Sequence, residues 1–330
     1  MRALRVDQQP VYAARVVNMD EPELQADEVL IETQYSSLNY KDALAITGKG
    51  AILKSFPLIP GIDAAGLVRR STAPQFRVGD SVLMTGCGLG ESYNGGYSEF
   101  LRAPAEFVIP CPAALPPRAA MILGTAGFTA ALCLQRMEQM GQTPSHGPIV
   151  VTGASGGVGS FATALFAERG YSVLAVSSKR QCHPWLRSLG ATEVCSFDEL
   201  QLGARPLERA RFGGAVDNTG GQHLAQLLAH THLWGNVASV GLANSANLST
   251  TVMPFILRGV SLLGISSNNC PADLRRSIWQ NLACDWKIKN LEQFVHATIQ
   301  LEDLPLQAQK MLDRQTQGRT LVEITKRDSP

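Results

Sequence analysis

The sequence predicts an α/β chain in two parts: a β-rich, partly barrel-like domain and a doubly wound parallel sheet. Three observations carry this expectation. Short strand candidates broken by prolines and glycines fill roughly the first 110 residues. Near residue 120 the texture turns to Ala, Leu and Met at helical spacing, and from Pro148 onward strand and helix patterns alternate. A length of 330 residues leaves room for about two domains.

In the first part, 29–33 reads as a strand, and 66–68 and 80–84 follow turn residues. Residues 118–139 read as a helix. The alternation then runs strand 149–152, helix 157–169, strand 172–176, a helix near 184–189, and strands at 193–195, 214–217, 236–240 and 260–265. Six strands alternating with helices imply right-handed crossovers and a parallel sheet covered on both faces. A helix at 273–285, an amphipathic stretch and a last strand at 319–325 follow, and that strand is expected to return to the first domain. One domain is therefore expected at 1–120 with 267–330, the other at 121–266.

The 29 basic and 28 acidic side chains nearly cancel. No strong field then draws in nucleic acid or an anionic membrane, and a small-molecule partner held by local charge is expected. The first residues show no long apolar run and no cleavage-site pattern, so no signal peptide is expected. No stretch reaches the roughly 18 apolar residues of a spanning helix. Seven scattered cysteines with no C-x-x-C pair argue for reduced thiols in the cytoplasm.

Gly153-Ala154-Ser155-Gly156-Gly157-Val158-Gly159 joins the first strand of the alternation to its helix. A dinucleotide-binding turn needs glycine where backbone approaches the pyrophosphate, and again where helix and strand pack closely. Gly156 and Gly159 fill those places, and Ala154 stands where the first glycine of the pattern usually is. The helix start beyond it offers N–H groups and a positive dipole end to phosphate. At the end of the second strand an NAD site places Asp or Glu on the ribose 2′-hydroxyl. Here Ser177, Ser178, Lys179 and Arg180 stand instead, a set that suits a 2′-phosphate, so NADPH is the expected cofactor.

With these pieces the chain resembles the medium-chain dehydrogenase/reductase superfamily, and more narrowly its zinc-free acryloyl-CoA reductase and quinone oxidoreductase-like subgroup. The stretches that carry the resemblance are 36–50, with Asn39-Tyr40-Lys41-Asp42 at its centre, 60–63, 124–130, the 153–159 loop, 251–258 and 317–322. Zinc-dependent members have a cysteine ligand near the position of Asn39 and Gly-His-Glu where this chain has Gly61-Ile62-Asp63, so no metal is expected.

The resemblance implies a GroES-like catalytic domain beside a Rossmann domain, with Asn39, Tyr40 and Asp42 as catalytic residues near the nicotinamide. The alternative for these three is a polar loop capping a helix that starts near Lys41. It further implies cofactor contacts from Tyr40, Thr125, Thr129, Ser155, Gly156, Gly157, Val158, Leu242, Ile256, Ser267 and Arg319, Arg319 being equally readable as a strand-edge cation. Glu193 departs from the pattern, a basic residue being expected there. The implied reaction delivers hydride to the β-carbon of an enoyl thioester, acryloyl-CoA, with quinone or enone reduction as the rival. Charge building on the thioester oxygen would be met by backbone N–H groups or the Asn39 amide. The α-carbon proton would come from Tyr40 or a water, and from Asp42 only with a raised pKa. The apolar segment 260–265, at a sheet edge, is expected to join two copies into a homodimer.

Overall fold

The computed structural model describes residues 1–325; the last five residues assigned to the first domain lie outside the described part. Two compact units are present, one built from residues 1–125, 268–285 and 289 onward, the other from 126–267 and 286–288.

The first unit is organised on Glu28–Leu38, an 11-residue strand. It pairs antiparallel with Asp63–Ser71, Phe100–Pro104 and Arg319–Glu323, the last from the chain's C-terminal part of this unit. Its register against Asp63–Ser71 shifts twice, between Leu30 and Ile31 and between Thr33 and Tyr35. Such bulges bend and twist a strand, and here they curve the sheet toward a barrel. Val29 and Ile31 enter a cluster with Val68, Val82 and Leu101. Leu38, at the other end of the strand, packs with Leu4, Ile59, Tyr97 and Val322. Burying side chains of this size stabilises by about 1.5–3 kcal/mol each. Helix Tyr40–Thr47 leaves the strand directly, with Asn39 as N-cap and Gly48 at φ 71° closing it.

In the second unit the six strands Ile149–Thr152, Val173–Val176, Glu193–Cys195, Phe212–Asp217, Thr231–Ser239 and Ser261–Gly264 form one parallel sheet. Taken in chain order they lie 3-2-1-4-5-6, the doubly wound arrangement whose ligand crevice opens at the carboxyl ends of the strands. Thr231–Ser239 starts five residues earlier than the hydrophobic pattern predicts, because its first half carries the exposed Leu233 and Trp234.

Helix Pro117–Gln139 is broken at Gly124, where φ is 49° and ψ is −156°. The sequence pattern reads straight through this point. By length and composition it is the one helix among the described residues fit to span a bilayer, contrary to the expectation that none is. Of its most apolar window, 83% is buried inside protein. A helix apolar on all faces because it is buried on all faces passes the same test.

Candidate active site

Strand Glu28–Leu38 ends on a buried polar cluster. Asp63, the first residue of its neighbour strand, is wholly buried. Its carboxylate accepts hydrogen bonds from Ser37 Oγ at 2.5 Å, Asn39 Nδ2 at 2.7 Å and Thr125 Oγ1 at 2.6 Å. The Thr125 N–H donates to both of its oxygens at 3.0 Å. Arg319, also buried, donates from Nε to the Ile122 carbonyl at 2.9 Å and from Nη1 to Asn39 Oδ1 at 3.1 Å. Its Nη2 lies 3.9 Å from Asp63 and has no hydrogen-bond partner. Arg319 is thus no strand-edge cation. The bend at Gly124 closes over this group: a Cβ there would stand 2.6 Å from Asp63 Oδ2, 2.7 Å from Ser37 Oγ and 2.8 Å from Arg319 Nη2.

Asp42 sits one layer away, in the first turn of the helix. Its Oδ2 accepts the Asn39 N–H at 2.9 Å and Asn39 Nδ2 at 3.3 Å, and its Oδ1 accepts the Ile62 N–H at 2.9 Å. The capping expected from sequence is therefore present, and it shares its residues with the cluster. Burial and the neighbouring charge of Asp63 push Asp42 up to about 7, against its three N–H donors. Tyr97, buried beside both carboxyls, is pushed well above its usual value by burial and by Asp42 and Asp63. Asn39 was expected to point its amide at developing charge. Its N–H groups are spent on Asp63, Asp42 and, at 3.5 Å, the Ser37 carbonyl. Tyr40, at the helix start, is 48% exposed and is the most exposed member of the Asn39–Asp42 turn.

In the second unit, the left-handed turn after strand Ile149–Thr152 is made by Gly153 at φ 59°, not at Ala154, whose N–H donates to the Val176 carbonyl at 3.0 Å. Gly156 caps helix Gly157–Glu168. A Cβ on Gly159 would lie 2.4 Å from the Gly153 carbonyl, so close strand–helix packing requires glycine there. The first-turn N–H groups, those of Gly157 and Val158 among them, have no acceptor within the helix and face outward from it. The loop is thus shaped for a pyrophosphate, and the residues fit a dinucleotide.

Ser177 and Ser155 are both buried and joined, Ser177 Oγ donating to Ser155 Oγ at 3.0 Å, so the second strand's end touches the glycine loop. The Lys179 N–H donates to Ser177 Oγ at 3.2 Å. Ser178 is exposed, and Arg180 is exposed and bonded to Glu199 at 3.2 Å. An exposed pair of this kind is worth at most about 1 kcal/mol, little enough for a phosphate to displace. Glu193 begins its strand, at the end away from this crevice. The missing basic residue therefore takes nothing from the turn.

Other residues named from sequence scatter. Thr129 is buried within its helix, Leu242 and Ile256 are exposed at 61% and 72%, and Ser267 is half-buried. The sequence reading missed Asp63, Ser37 and Tyr97 in the first unit. In the second it missed Asp217, wholly buried, which accepts from Thr152 Oγ1 at 2.6 Å, Thr219 Oγ1 at 2.7 Å and the Gly220 N–H at 2.7 Å. The same unit has a cavity of about 300 Å³ with the stacked rings of Phe197 and His223, 3.6 Å apart, on its wall. Only a signal of spatial proximity could have found these.

Among the described residues no three His, Cys, Asp or Glu side chains gather as a metal site. Asp42 and Asp63 are occupied by N–H and O–H donors and an arginine, which leaves no open oxygen set for zinc. His230, of the sole tight histidine pair, is buried with Nδ1 at 2.8 Å from the Gln226 carbonyl.

Residues 25–113 match the family described as alcohol dehydrogenase GroES-like domain, and residues 157–283 the one described as zinc-binding dehydrogenase. The chain is 47% identical to the probable acrylyl-CoA reductase AcuI of Escherichia coli, over 98% of this chain and 100% of that one. It is 42% identical to the putative quinone oxidoreductase YhfP of Bacillus subtilis, over 94% and 95%. The crystal structure of the yhdH oxidoreductase from Salmonella enterica in complex with NADP matches with a TM-score of 0.94 at 47% identity, covering 98% of this chain and 100% of that one. The chain belongs to the medium-chain dehydrogenase/reductase superfamily of oxidoreductases, in its zinc-free acrylyl-CoA reductase and quinone oxidoreductase-like subgroup.

Proposed function

We propose that this enzyme reduces acryloyl-CoA to propionyl-CoA with NADPH. The observation that carries the reading is the full-length likeness to the probable acrylyl-CoA reductase of Escherichia coli, joined to an intact Asn39–Asp42 turn. Bound NADPH supplies the hydride. The glycine loop and the first turn of Gly157–Glu168 hold the pyrophosphate, with Ser155, Gly156, Gly157 and Val158 in contact. Ser177, Ser178, Lys179 and Arg180 take the 2′-phosphate, and the cavity beside Phe197 and His223 takes the adenine. Leu242, Ile256, Ser267 and Thr129 complete the cofactor surface.

Reduction at the β-carbon places negative charge on the thioester oxygen, and backbone N–H groups meet it. Asn39 serves as a fixed scaffold, its amide being committed to the two aspartates. Tyr40, half exposed, delivers the proton to the α-carbon directly or through a water. Asp42 holds the turn rather than the substrate, since it is only 1% exposed. Arg319 and Thr125 act through the same cluster.

Product analysis tests the reaction. With NADPH deuterated at the transferred position, deuterium should appear at the β-carbon of propionyl-CoA; with the reaction run in D2O, it should appear at the α-carbon. Deuterium at any other carbon defeats the scheme. Quinone or enone reduction is the second reading, favoured by the name of the Bacillus subtilis relative.

We further propose a homodimer that works in the cytoplasm. Strand Ser261–Gly264 is a sheet edge paired on one side only, and Trp234, Leu233, Ile256 and Leu257 are 56–72% exposed in the same unit. The seven cysteines of the chain are free thiols, as a reducing compartment keeps them.

A further inference from the structure

Two carboxyls and one guanidinium are buried together in the first unit, and the Asn39 amide bridges the carboxyls, 2.7 Å from Asp63 and 3.3 Å from Asp42. Two like charges so close do not ionise independently but titrate as a pair. The surroundings divide them unequally. Asp63 takes two hydroxyl donors, the doubly shared Thr125 N–H, the amide, and the neighbouring Arg319. The hydroxyls, the N–H and the amide all donate to it, and Arg319 adds a positive charge 3.9 Å away, the surroundings an ionised carboxylate requires. Asp42 has two backbone N–H groups, the longer amide contact and the Tyr97 hydroxyl beside it, and among the described residues no cation bonded to it. Asp63, Tyr97 and Arg319 are the titratable groups that reach Asp42 from other elements. Lys41, next along the helix, is turned to Glu91 at 2.8 Å.

We propose that Asp63 is a positioning residue that fixes the Asn39 amide and Thr125 and, as the like charge beside Asp42, makes Asp42 the group that takes up the pair's proton. Asp63 stays an acceptor while Asp42 alternates. With Asp42 ionised, both of its oxygens accept, and the turn that carries Tyr40 is held at Asn39 and at Ile62. With Asp42 protonated, one oxygen becomes a poor acceptor and one of these ties weakens. Burial and Asp63 place that change near neutral pH, at about 7. The assignment of the proton rests on the hydrogen bonds, the burial and the charges around the pair; only its kinetic consequence rests on the proposed reduction at this turn.

Infrared difference spectra of the full chain, titrated across neutral pH with carbon-13 aspartate, read the buried protonated carboxyl without any substrate. A band that titrates near neutrality and disappears in Asp42→Asn is expected. Asp63→Asn should move its midpoint down by at least about one pH unit, and Arg319→Gln should move it up. In the kinetic arm, Asp63→Asn should lower kcat at least tenfold with less than threefold change in the KM for NADPH, and move the acidic limb of the kcat profile down with the infrared midpoint. Asp63→Glu should recover part of kcat. If Asp63→Asn does not fold, the upward shift in Arg319→Gln decides. A midpoint unmoved by the variants that fold, or moved the same way by both, overturns the proposal, as does a band that survives in Asp42→Asn. If the infrared shifts occur but acryloyl-CoA is not reduced, the substrate reading falls and this assignment stands.

Discussion

Replacing Gly124 with alanine puts a methyl group where three polar atoms already stand. Its φ of 49° with ψ of −156° is a backbone conformation essentially reserved for glycine, and forcing another residue into it costs about 1–3 kcal/mol. The added Cβ would also lie within 2.8 Å of Asp63, Ser37 and Arg319. These cannot all stay, and losing one charged, buried hydrogen bond costs roughly 1.5–3 kcal/mol more. The total is about 2.5–6 kcal/mol, which for a domain of this size corresponds to a fall in Tm of roughly 5–24 °C. Scanning calorimetry measures it, with Gly79→Ala as the control. Gly79 is also left-handed, at φ 93°, but has nothing within 4 Å of its Cβ position, so its replacement should cost only the backbone part. If Gly124→Ala melts no lower than Gly79→Ala, the packed polar cluster under the bend is not what holds this part of the fold.

Lys179→Ala with Arg180→Ala should raise the KM for NADPH at least about tenfold more than that for NADH, since each charge-assisted contact is worth roughly 1.5–3 kcal/mol; equal effects on both cofactors in steady-state assays would show that these cations do not read the 2′-phosphate. Elemental analysis of the purified chain should find no stoichiometric zinc, and chelation should leave activity intact; a tightly held zinc whose removal abolishes activity would contradict the site as described. Light scattering at micromolar concentration should give the mass of a dimer, and Trp234→Asp should shift it toward the monomer; a monomeric wild type would end the edge-strand assignment. Asp42 binds a proton in the folded state up to about 7, whereas an unfolded aspartate releases it near pH 4. Its contribution to stability is therefore complete below about 4 and is lost as pH rises through about 7. Asp42→Ala should flatten that part of the Tm-against-pH curve, and an unchanged slope would count against the raised value.

Much of the second unit was legible because its signals are local. Buried strands, a glycine loop and helix patterns repeat within short windows, so the strand positions 149–152 and 193–195 match what the pattern predicts. Thr231–Ser239 was half read because its exposed start lacks alternation. The first unit was less legible. Its sheet is joined by long-range pairings, such as Thr320 with Leu38, which leave no trace in local spacing. The same holds for the site. The Asn39–Asp42 turn shows as a motif, but Asp63 was noticed only as a residue that zinc does not use. Its partners Ser37, Thr125 and Arg319 lie on separate strands and a helix bend. Gly124 reads as a tolerated helix glycine until the side chains beneath it are seen.

Substrate choice tests the central claim most directly. Specificity constants for acryloyl-CoA, crotonyl-CoA and benzoquinone should be measured with NADPH under one set of conditions. The CoA moiety supplies remote binding energy that can be spent on placing the reacting carbon, and a quinone has none of it. One extra methyl in a pocket discriminates by only about 1–3 kcal/mol. Acryloyl-CoA should therefore have the highest kcat/KM, with crotonyl-CoA slower but still turned over and benzoquinone well below both. A kcat/KM for benzoquinone above that for acryloyl-CoA would contradict the account and put quinone reduction in its place.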